Sequence, residues 1–411
     1  MALISQKPDS PFTPGTPVPP ELFVGRKQQL EEAAGYMERA ASGRLENLFL
    51  VGERGIGKSS FAAYLRRVAE IEKNMLGVHV FLGAVDTLEE MTQRIFEGLL
   101  REVRTESSLF EKVRSLFGKH IEKLDLFGVS VRFAPPKDKL EALVNEFPHA
   151  VYNFLDRVKS ERRGLFIALD DINGLAREKA FADWYKSFVD YTAVHFERFP
   201  VFVVLVGLPD CWEQMTSLQA SLARVFRMVR IERLADEEVS EFFQRAFGSV
   251  QVEVEPKALD VLVRFSSGYP ILMQEIGDAV YAVDSDGKVD IEDANLGILT
   301  AANRVGYRYL EPRVYRTVRS PRYRSILRKL GQHGIRRNFT RREVESWLNE
   351  EEKRVFSNFL RRMRELGVIE RDLEGGPGAY RFVNEIYPVY IWMEAMRWAR
   401  KPNTRKALEG D

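Results

Sequence analysis

Apolar and polar positions alternate differently along successive parts of the chain. Residues 8–20, PDSPFTPGTPVPP, carry six prolines and no apolar period, and read as an extended leader rather than a folded element. From residue 21 to residue 43 the spacing turns helical. A short apolar run at 47–51 ends at a glycine and gives way to a helical stretch from Lys58 to about residue 71. The runs 78–82, 165–169 and 201–206 are apolar throughout apart from His79, as expected of strands buried on both faces of a parallel sheet. Helical segments alternate with them. The pattern predicts an α/β fold, an αβα sandwich on a parallel sheet.

The remainder divides again. Residues 91–117 form a charged helix-like stretch, and 128–133 a strand-like piece before two prolines, so 103–146 read as an insertion on the core sheet. From Asp236 the strand signal fades, and helical patterns run to about residue 318. The last part reads as helices over 323–330, 340–347 and 353–366, then two short strands around Gly375-Gly376-Pro377-Gly378. Helices followed by a hairpin match a winged helix. The expected organisation is a leader (1–20), a core (21–235), an all-α lid with a basic linker helix (236–318) and a winged-helix domain (319–411).

Composition narrows the classes. With 45% hydrophobic and 29% charged residues the chain is an ordinary globular protein, neither disordered nor collagen-like. The one cysteine, Cys211, excludes an intrachain disulfide and a multi-cysteine zinc site, and fits a reducing compartment. The five histidines are scattered without ligand spacing and read as isolated core or surface residues. The N-terminus lacks a signal-peptide pattern and no apolar run approaches the length of a membrane span, so the expectation is a soluble, cytoplasmic protein without membrane contact. The net charge of +1 hides an asymmetry: residues 301–411 hold 25 Lys and Arg against 14 Asp and Glu, while 1–300 hold 36 against 46. Within 301–342 there are 13 basic residues and one acid. Such a block points to a nucleic-acid contact.

The sharpest motif is Gly52-Glu53-Arg54-Gly55-Ile56-Gly57-Lys58-Ser59, a full G-x-x-x-x-G-K-[ST] between an apolar strand and a helix that continues through Ser60. Glycines let backbone N–H groups curl round phosphate oxygens, and the helix points its positive end at them. Lys58 is expected to reach the β- and γ-phosphates and Ser59 to ligate Mg²⁺. The run 165–169 leads into Asp170-Asp171. In P-loop NTPases the first such acid holds Mg²⁺ and a second can orient the attacking water, so Asp170 is assigned to the metal and Asp171 to the water. Aspartate is a methylene shorter than the usual glutamate there, which predicts slow hydrolysis.

Phe23-Val24-Gly25-Arg26, the phosphate loop, Leu169-Asp170-Asp171 and Gly268-Tyr269-Pro270 occur in the order seen in AAA+-type and STAND-type P-loop ATPases. Over roughly residues 21–300 the chain resembles the archaeal and bacterial ATPases that look like replication initiators of the origin-recognition class. The resemblance implies ATP as the nucleotide, with Val24, Gly25 and Arg26 near adenine and ribose, Pro270 packing on the nucleotide from the helical lid, and a winged helix to follow. It implies that Arg224 or Arg227 can serve a neighbour's nucleotide as an arginine finger, which requires self-association. Two departures favour a switch over fast turnover. Residues 271–277 lack the arginine that initiators carry in this helix, and Gly207-Leu208-Pro209-Asp210 lacks the usual asparagine or threonine sensor.

For duplex DNA the candidates are Arg322, Arg324, Arg328, Arg336 and Arg337 in the basic block and Asn358, Arg361 and Arg364 on the polar side of helix 353–366. About six phosphate contacts predict a log K versus log[salt] slope near −5. Against this stands an acidic wing, Glu370, Asp372 and Glu374. The expected function is an ATPase that couples nucleotide state to DNA binding. The alternatives are a STAND-like signalling or defence switch that oligomerises on ATP and uses its winged helix for protein contacts, and an ATPase subunit serving a transposition or secretion machine.

Overall fold

The computed structural model describes residues 7–104, 106–117, 121–124, 131–133 and 135–399. The chain divides into two compact units, one spanning 17–232 and one formed by the N-terminal residues to Thr16 with 233–411. Among the described residues no helix is long and apolar enough to cross a membrane.

The first unit is built on a parallel sheet of strands β1 (Leu45–Val51), β2 (Leu76–Phe81), β5 (Leu165–Asp170), β6 (Val201–Gly207) and β7 (Arg227–Arg230) in the order β2-β5-β6-β1-β7. Every residue of β5 and β6 is buried, which is why these stretches read as unbroken apolar runs. Its one polar buried residue in β1, Asn47, accepts a hydrogen bond from the Tyr185 hydroxyl at 2.8 Å. Strand β7 pairs with β1 alone and is an edge strand with three of four residues exposed. The main helices are α1 (Lys27–Ala41), α2 (Lys58–Lys73), α3 (Leu88–Val103), α4 (Ser107–Phe117), α5 (Lys137–Asn145), α6 (Phe147–Val158), α7 (Lys179–His195), α8 (Pro209–Leu218) and α9 (Leu222–Val225).

Two expectations change. The helix read over 21–43 begins only at Lys27: residues 20–22 form a 3₁₀ turn, and Arg26 has a left-handed backbone, φ 59°. Phe23 instead stacks on Tyr64 at 4.6 Å, because an apolar residue next to α2 gains more from burial than from helical continuation. The inserted stretch also joins the main core. Its β3 (Ile121–Leu124) and β4 (Val131–Phe133) pair antiparallel, and Leu109, Phe110, Val113 and Phe133 are buried with the residues of α3 and β2. Residues 125–130, part of the strand-like piece read at 128–133, lie outside the described residues.

The second unit holds helices α10 (Asp236–Ser249), α11 (Pro256–Ser266), α12 (Pro270–Val283) and α13 (Ile291–Val305), with short parallel strands β8 (Glu253–Val254) and β9 (Lys288–Val289). α13 runs into a π-helix over Gly306–Tyr315 that contains Pro312. Then come α14 (Pro321–Gln332), β10 (Asn338–Thr340), α15 (Arg341–Trp347), α16 (Glu350–Glu365), β11 (Ile369–Arg371), β12 (Ala379–Phe382) and α17 (Ile386–Ala399). Strands β10, β12 and β11 form an antiparallel sheet. Thr340 and Asn349 cap α15 and α16, each with a glutamate at the third helical position reaching back to the cap N–H. No element was expected after the hairpin, yet α17 packs against α14 and α13. Its near-uniform apolar character has no amphipathic period to announce it.

Residues 7–16 of the leader belong to this unit, and 17–20 to the first. Phe12 is only 3% exposed, its ring 4.9 Å from Phe247, 5.9 Å from Phe242 and 6.2 Å from Phe243. The Thr13 amide donates to Gln274 Oε1 at 2.6 Å, and Lys7 pairs with buried Asp284 at 2.6 Å. The proline-rich composition gave no sign that one aromatic side chain anchors the segment.

Candidate functional site

Strand β1 ends at Val51, level with Gly207 on β6, and the chain turns through residues 52–57 into α2. Gly55 and Gly57 adopt φ of +76° and +89°, a left-handed backbone that glycine enters without steric cost. A Cβ at Gly52 would lie 2.8 Å from the carbonyl oxygen of Ile231, so that position is closed by the neighbouring backbone. Ile56 turns its side chain into the core and offers the loop only its backbone, whereas Glu53 and Arg54 are exposed. Lys58 Nζ donates to the carbonyls of Gly52 (2.9 Å) and Glu53 (2.8 Å), folding over the loop it serves. Burial pushes its pKa below the usual lysine range, while Asp170 and Asp171 pull it upward.

The residues flanking the loop brace it. Arg26 donates through its guanidinium to the carbonyls of Gly57 (3.3 Å) and Ile56, so this arginine holds the turn just ahead of Lys58. Gly25 next to it has φ of +71°, and Val24 is buried. Ser60 accepts a hydrogen bond from the Val18 amide at 3.1 Å, which commits its hydroxyl to the incoming chain. Ser59, at the second position of α2, is half-buried at the loop.

The acids come from β5, separated from β1 by β6. Parallel register places Asp170 beside Val206 and Val51 beside Gly207, so the acid and the loop share the C-terminal edge of the sheet, where ligands of such folds sit. Asp170 is buried, and its Oδ2 lies 2.9 Å from His79 Nε2. This corrects the reading of the histidines as isolated. Asp171 is exposed with a left-handed φ of 61°, a conformation that costs a non-glycine residue about 1–3 kcal/mol and clusters at functional sites. The Asn173 side-chain amide donates to Asp171 Oδ1, while its carbonyl accepts from the Leu208 amide at 3.2 Å and from Cys211 Sγ at 2.9 Å.

His79 and Asn173 were missed. A lone polar residue in the strand-like run 78–82 was the available signal for the first. Nothing in the sequence marked Asn173, which supplies a polar group at the end of β6 where that strand itself has none. As to a cation, no cluster of three or more His, Cys, Asp and Glu gathers among the described residues. One hydroxyl, Ser59, and one carboxylate, Asp170, are the donor set suited to Mg²⁺, which keeps waters and phosphate ligands instead of entering an all-protein cage.

The other candidates lie elsewhere. Arg224 lies in the short helix α9, and Arg227 opens β7 level with Leu48, at the opposite end of that strand from Val51 and the loop; both are exposed. Pro270 is the first residue of α12 in the second unit. Gly268 before it has φ of +72°, and a Cβ there would lie 2.4 Å from the Leu234 carbonyl oxygen, so the glycine of this motif has a packing reason of its own.

Most arginines assigned to DNA are engaged inside the second unit. Arg322 pairs with Glu351 at 3.2 Å, Arg336 with Glu343 at 2.6 Å and Arg337 with Glu385 at 3.7 Å. Arg324 donates to the carbonyls of Val318 (3.1 Å) and Tyr315 (2.9 Å), and Arg328 lies 3.9 Å over the Trp398 ring, where burial lowers its pKa. On α16, Asn358 accepts from Arg361 at 3.3 Å and Arg361 faces Glu365 at 3.9 Å. Arg364 is exposed and, among the described residues, joins no ion pair; so is Arg354 on the same face, which the sequence reading left out.

Residues 22–184 match the family model described as an AAA ATPase domain. An uncharacterized HTH-type transcriptional regulator of Methanocaldococcus jannaschii is 20% identical over 395 residues, covering 90% of this chain and 89% of its own. The Walker-type ATPase of Pyrococcus abyssi superposes over 90% of this chain and 96% of its own, with a TM-score of 0.50 and 15% identity. The ORC2 protein of Aeropyrum pernix, solved in ADPNP and ADP complexes, does so over 91% and 94%, with a TM-score of 0.52 and 12% identity. At these identities the two structures share the fold.

Proposed function

With residues 22–184 an AAA ATPase domain, we propose that the chain binds ATP and Mg²⁺ on the loop 52–59, hydrolyses ATP slowly, and couples nucleotide state to duplex DNA binding. The observation that carries this reading is the convergence of a glycine-turned loop, a helix start and the buried Asp170 on one sheet edge. Backbone N–H groups and Lys58 bind the phosphates, Ser59 and Asp170 hold the cation, and Mg²⁺ when bound neutralises charge on the phosphates. Asp171, oriented by Asn173, accepts a proton from water. The residues fit slow turnover: Asp171 is short, and one of its oxygens is taken by Asn173. ATP is named over GTP on the family resemblance. Lys58→Ala is expected to abolish ATP binding by calorimetry, and Asp171→Asn to retain binding and lose turnover. Unchanged affinity in Lys58→Ala refutes the site.

The C-terminal array from α14 to β12 is read as a winged helix with α16 as the recognition helix. Its exposed face carries Arg354, Asn358, Arg361 and Arg364, with Arg342 exposed on α15. With Arg342, Arg354, Arg361 and Arg364 as the phosphate contacts of this face, the expected salt slope is about −3.6. Gel shift with and without ATP tests the coupling. The internal pairing of Arg322, Arg336 and Arg337 favours one other reading, a STAND-like switch whose winged helix makes protein contacts. That reading expects a flat salt response and an ATP-dependent rise in mass by light scattering. Such self-association is also what an Arg224 finger requires.

A further inference from the structure

Asp170 does not stand alone at the end of β5. In the parallel pairing of β2 with β5, Phe81 is level with Asp170, and His79, two residues back, is on the same face of the strand. The two side chains are 7% and 4% exposed, and Nε2 lies 2.9 Å from Oδ2. The Phe81 ring stacks on the imidazole at 4.6 Å between centroids and 20° between planes, which limits its rotation. His79 is the one polar residue between the buried Val78 and Val80, so strand packing by itself has no need of an imidazole there.

We propose that His79 is the positioning residue for the metal-binding carboxylate: it holds Asp170 Oδ2 by a hydrogen bond and leaves the other oxygen for the cation of the nucleotide complex. The inference rests on the site reading above. An ionised carboxylate only accepts hydrogen bonds, so Nε2 is the nitrogen that carries the proton toward Asp170. A buried carboxylate held on one side has lost its rotational freedom before the cation arrives, and it needs no reorganisation to bind. Partners behind a metal ligand act in this way, and their removal costs about 10- to 100-fold in metal affinity. Lys58 and the loop amides contact phosphates independently of this pair, so metal and phosphate binding separate experimentally.

The test uses the full chain as His79→Ala, His79→Gln and Asp170→Asn, with Mn²⁺ as the metal probe read by electron paramagnetic resonance. Mn²⁺ is titrated onto protein saturated with a non-hydrolysable ATP analogue, and the affinity for the analogue alone is measured in EDTA. His79→Ala is expected to weaken Mn²⁺ binding about 10- to 100-fold with analogue affinity in EDTA unchanged. His79→Gln, whose amide can also donate to Asp170, is expected to recover most of the loss, and it serves as well if the alanine variant folds poorly. Wild-type Mn²⁺ affinity in His79→Ala, beside a loss in Asp170→Asn, overturns the role of His79 alone. Equal losses with and without metal overturn it in favour of a merely structural histidine. Unchanged Mn²⁺ affinity in Asp170→Asn overturns the metal assignment, and the role of His79 falls with it.

Discussion

Phe12 offers a stringent test of the claim that a proline-rich leader is part of a hydrophobic core. Its ring lies among Phe242, Phe243 and Phe247 at centroid distances of 4.9–6.2 Å, and a Cβ built on Gly277 of α12 would fall 2.2 Å from its Cε1. Phe12→Ala removes a fully buried ring and leaves a cavity, for which about 3–5 kcal/mol is expected. Gly277→Ala in the wild type forces the ring aside at about 1–3 kcal/mol, offset by about 1 kcal/mol of helix propensity. In the Phe12→Ala background the new methyl enters the vacated space, and only the propensity gain remains. The cycle therefore predicts a favourable coupling of about 1–3 kcal/mol between the two substitutions. Urea unfolding of the four proteins, followed by tryptophan fluorescence and far-ultraviolet circular dichroism, measures it. A cost below about 1 kcal/mol for Phe12→Ala, or strict additivity of the pair, refutes the packing argument.

Two further outcomes follow from charges in the second unit. Lys329 Nζ donates to Glu352 Oε2 at 2.6 Å and to the Trp347 carbonyl at 2.8 Å, so Lys329→Met strands a buried carboxylate and is expected to cost about 3–5 kcal/mol at neutral pH. Burial pushes the Glu352 pKa up, but hydrogen bonds from Lys329, Ser325 and the Asn349 amide outweigh it and leave the group below its usual range. A depressed folded-state pKa adds stability above the unfolded value, about 4.3, that is lost as pH falls through the folded value. The gap between wild type and Lys329→Met should therefore narrow in acid, and a gap that widens contradicts the pairing. On α16, Arg354→Ala and Arg364→Ala should each lower the magnitude of the DNA salt slope by about 1. Arg336→Ala, already paired with Glu343, should leave it unchanged; equal effects from all three reject α16 as the DNA face.

The sequence by itself determined the features that depend on neighbours in the chain. Unbroken apolar runs marked β5 and β6 because both faces of a central parallel strand are buried. The loop 52–59 was legible because its glycine spacing is a local pattern, and Gly55 and Gly57 there adopt positive φ. α16 begins at Glu350, three residues before the start at 353 that the apolar period gave, because the Asn349 side chain caps it. Tertiary structure decided everything that required two distant segments to meet. His79 became the partner of Asp170 only when β2 paired with β5, 91 residues apart in the chain. Asn173 reached the end of β6 across 35 residues, and Phe12 found its pocket more than 200 residues away. The basic block illustrates the limit most clearly. Composition counts charge, but whether an arginine faces solvent, a glutamate or a tryptophan ring depends on which side chains the fold brings within a few ångströms. In this chain the fold spends most of that block on its own acids and carbonyls, while Arg313, Arg316, Arg319 and Arg342 within it, and Arg354 and Arg364 on α16, face outward.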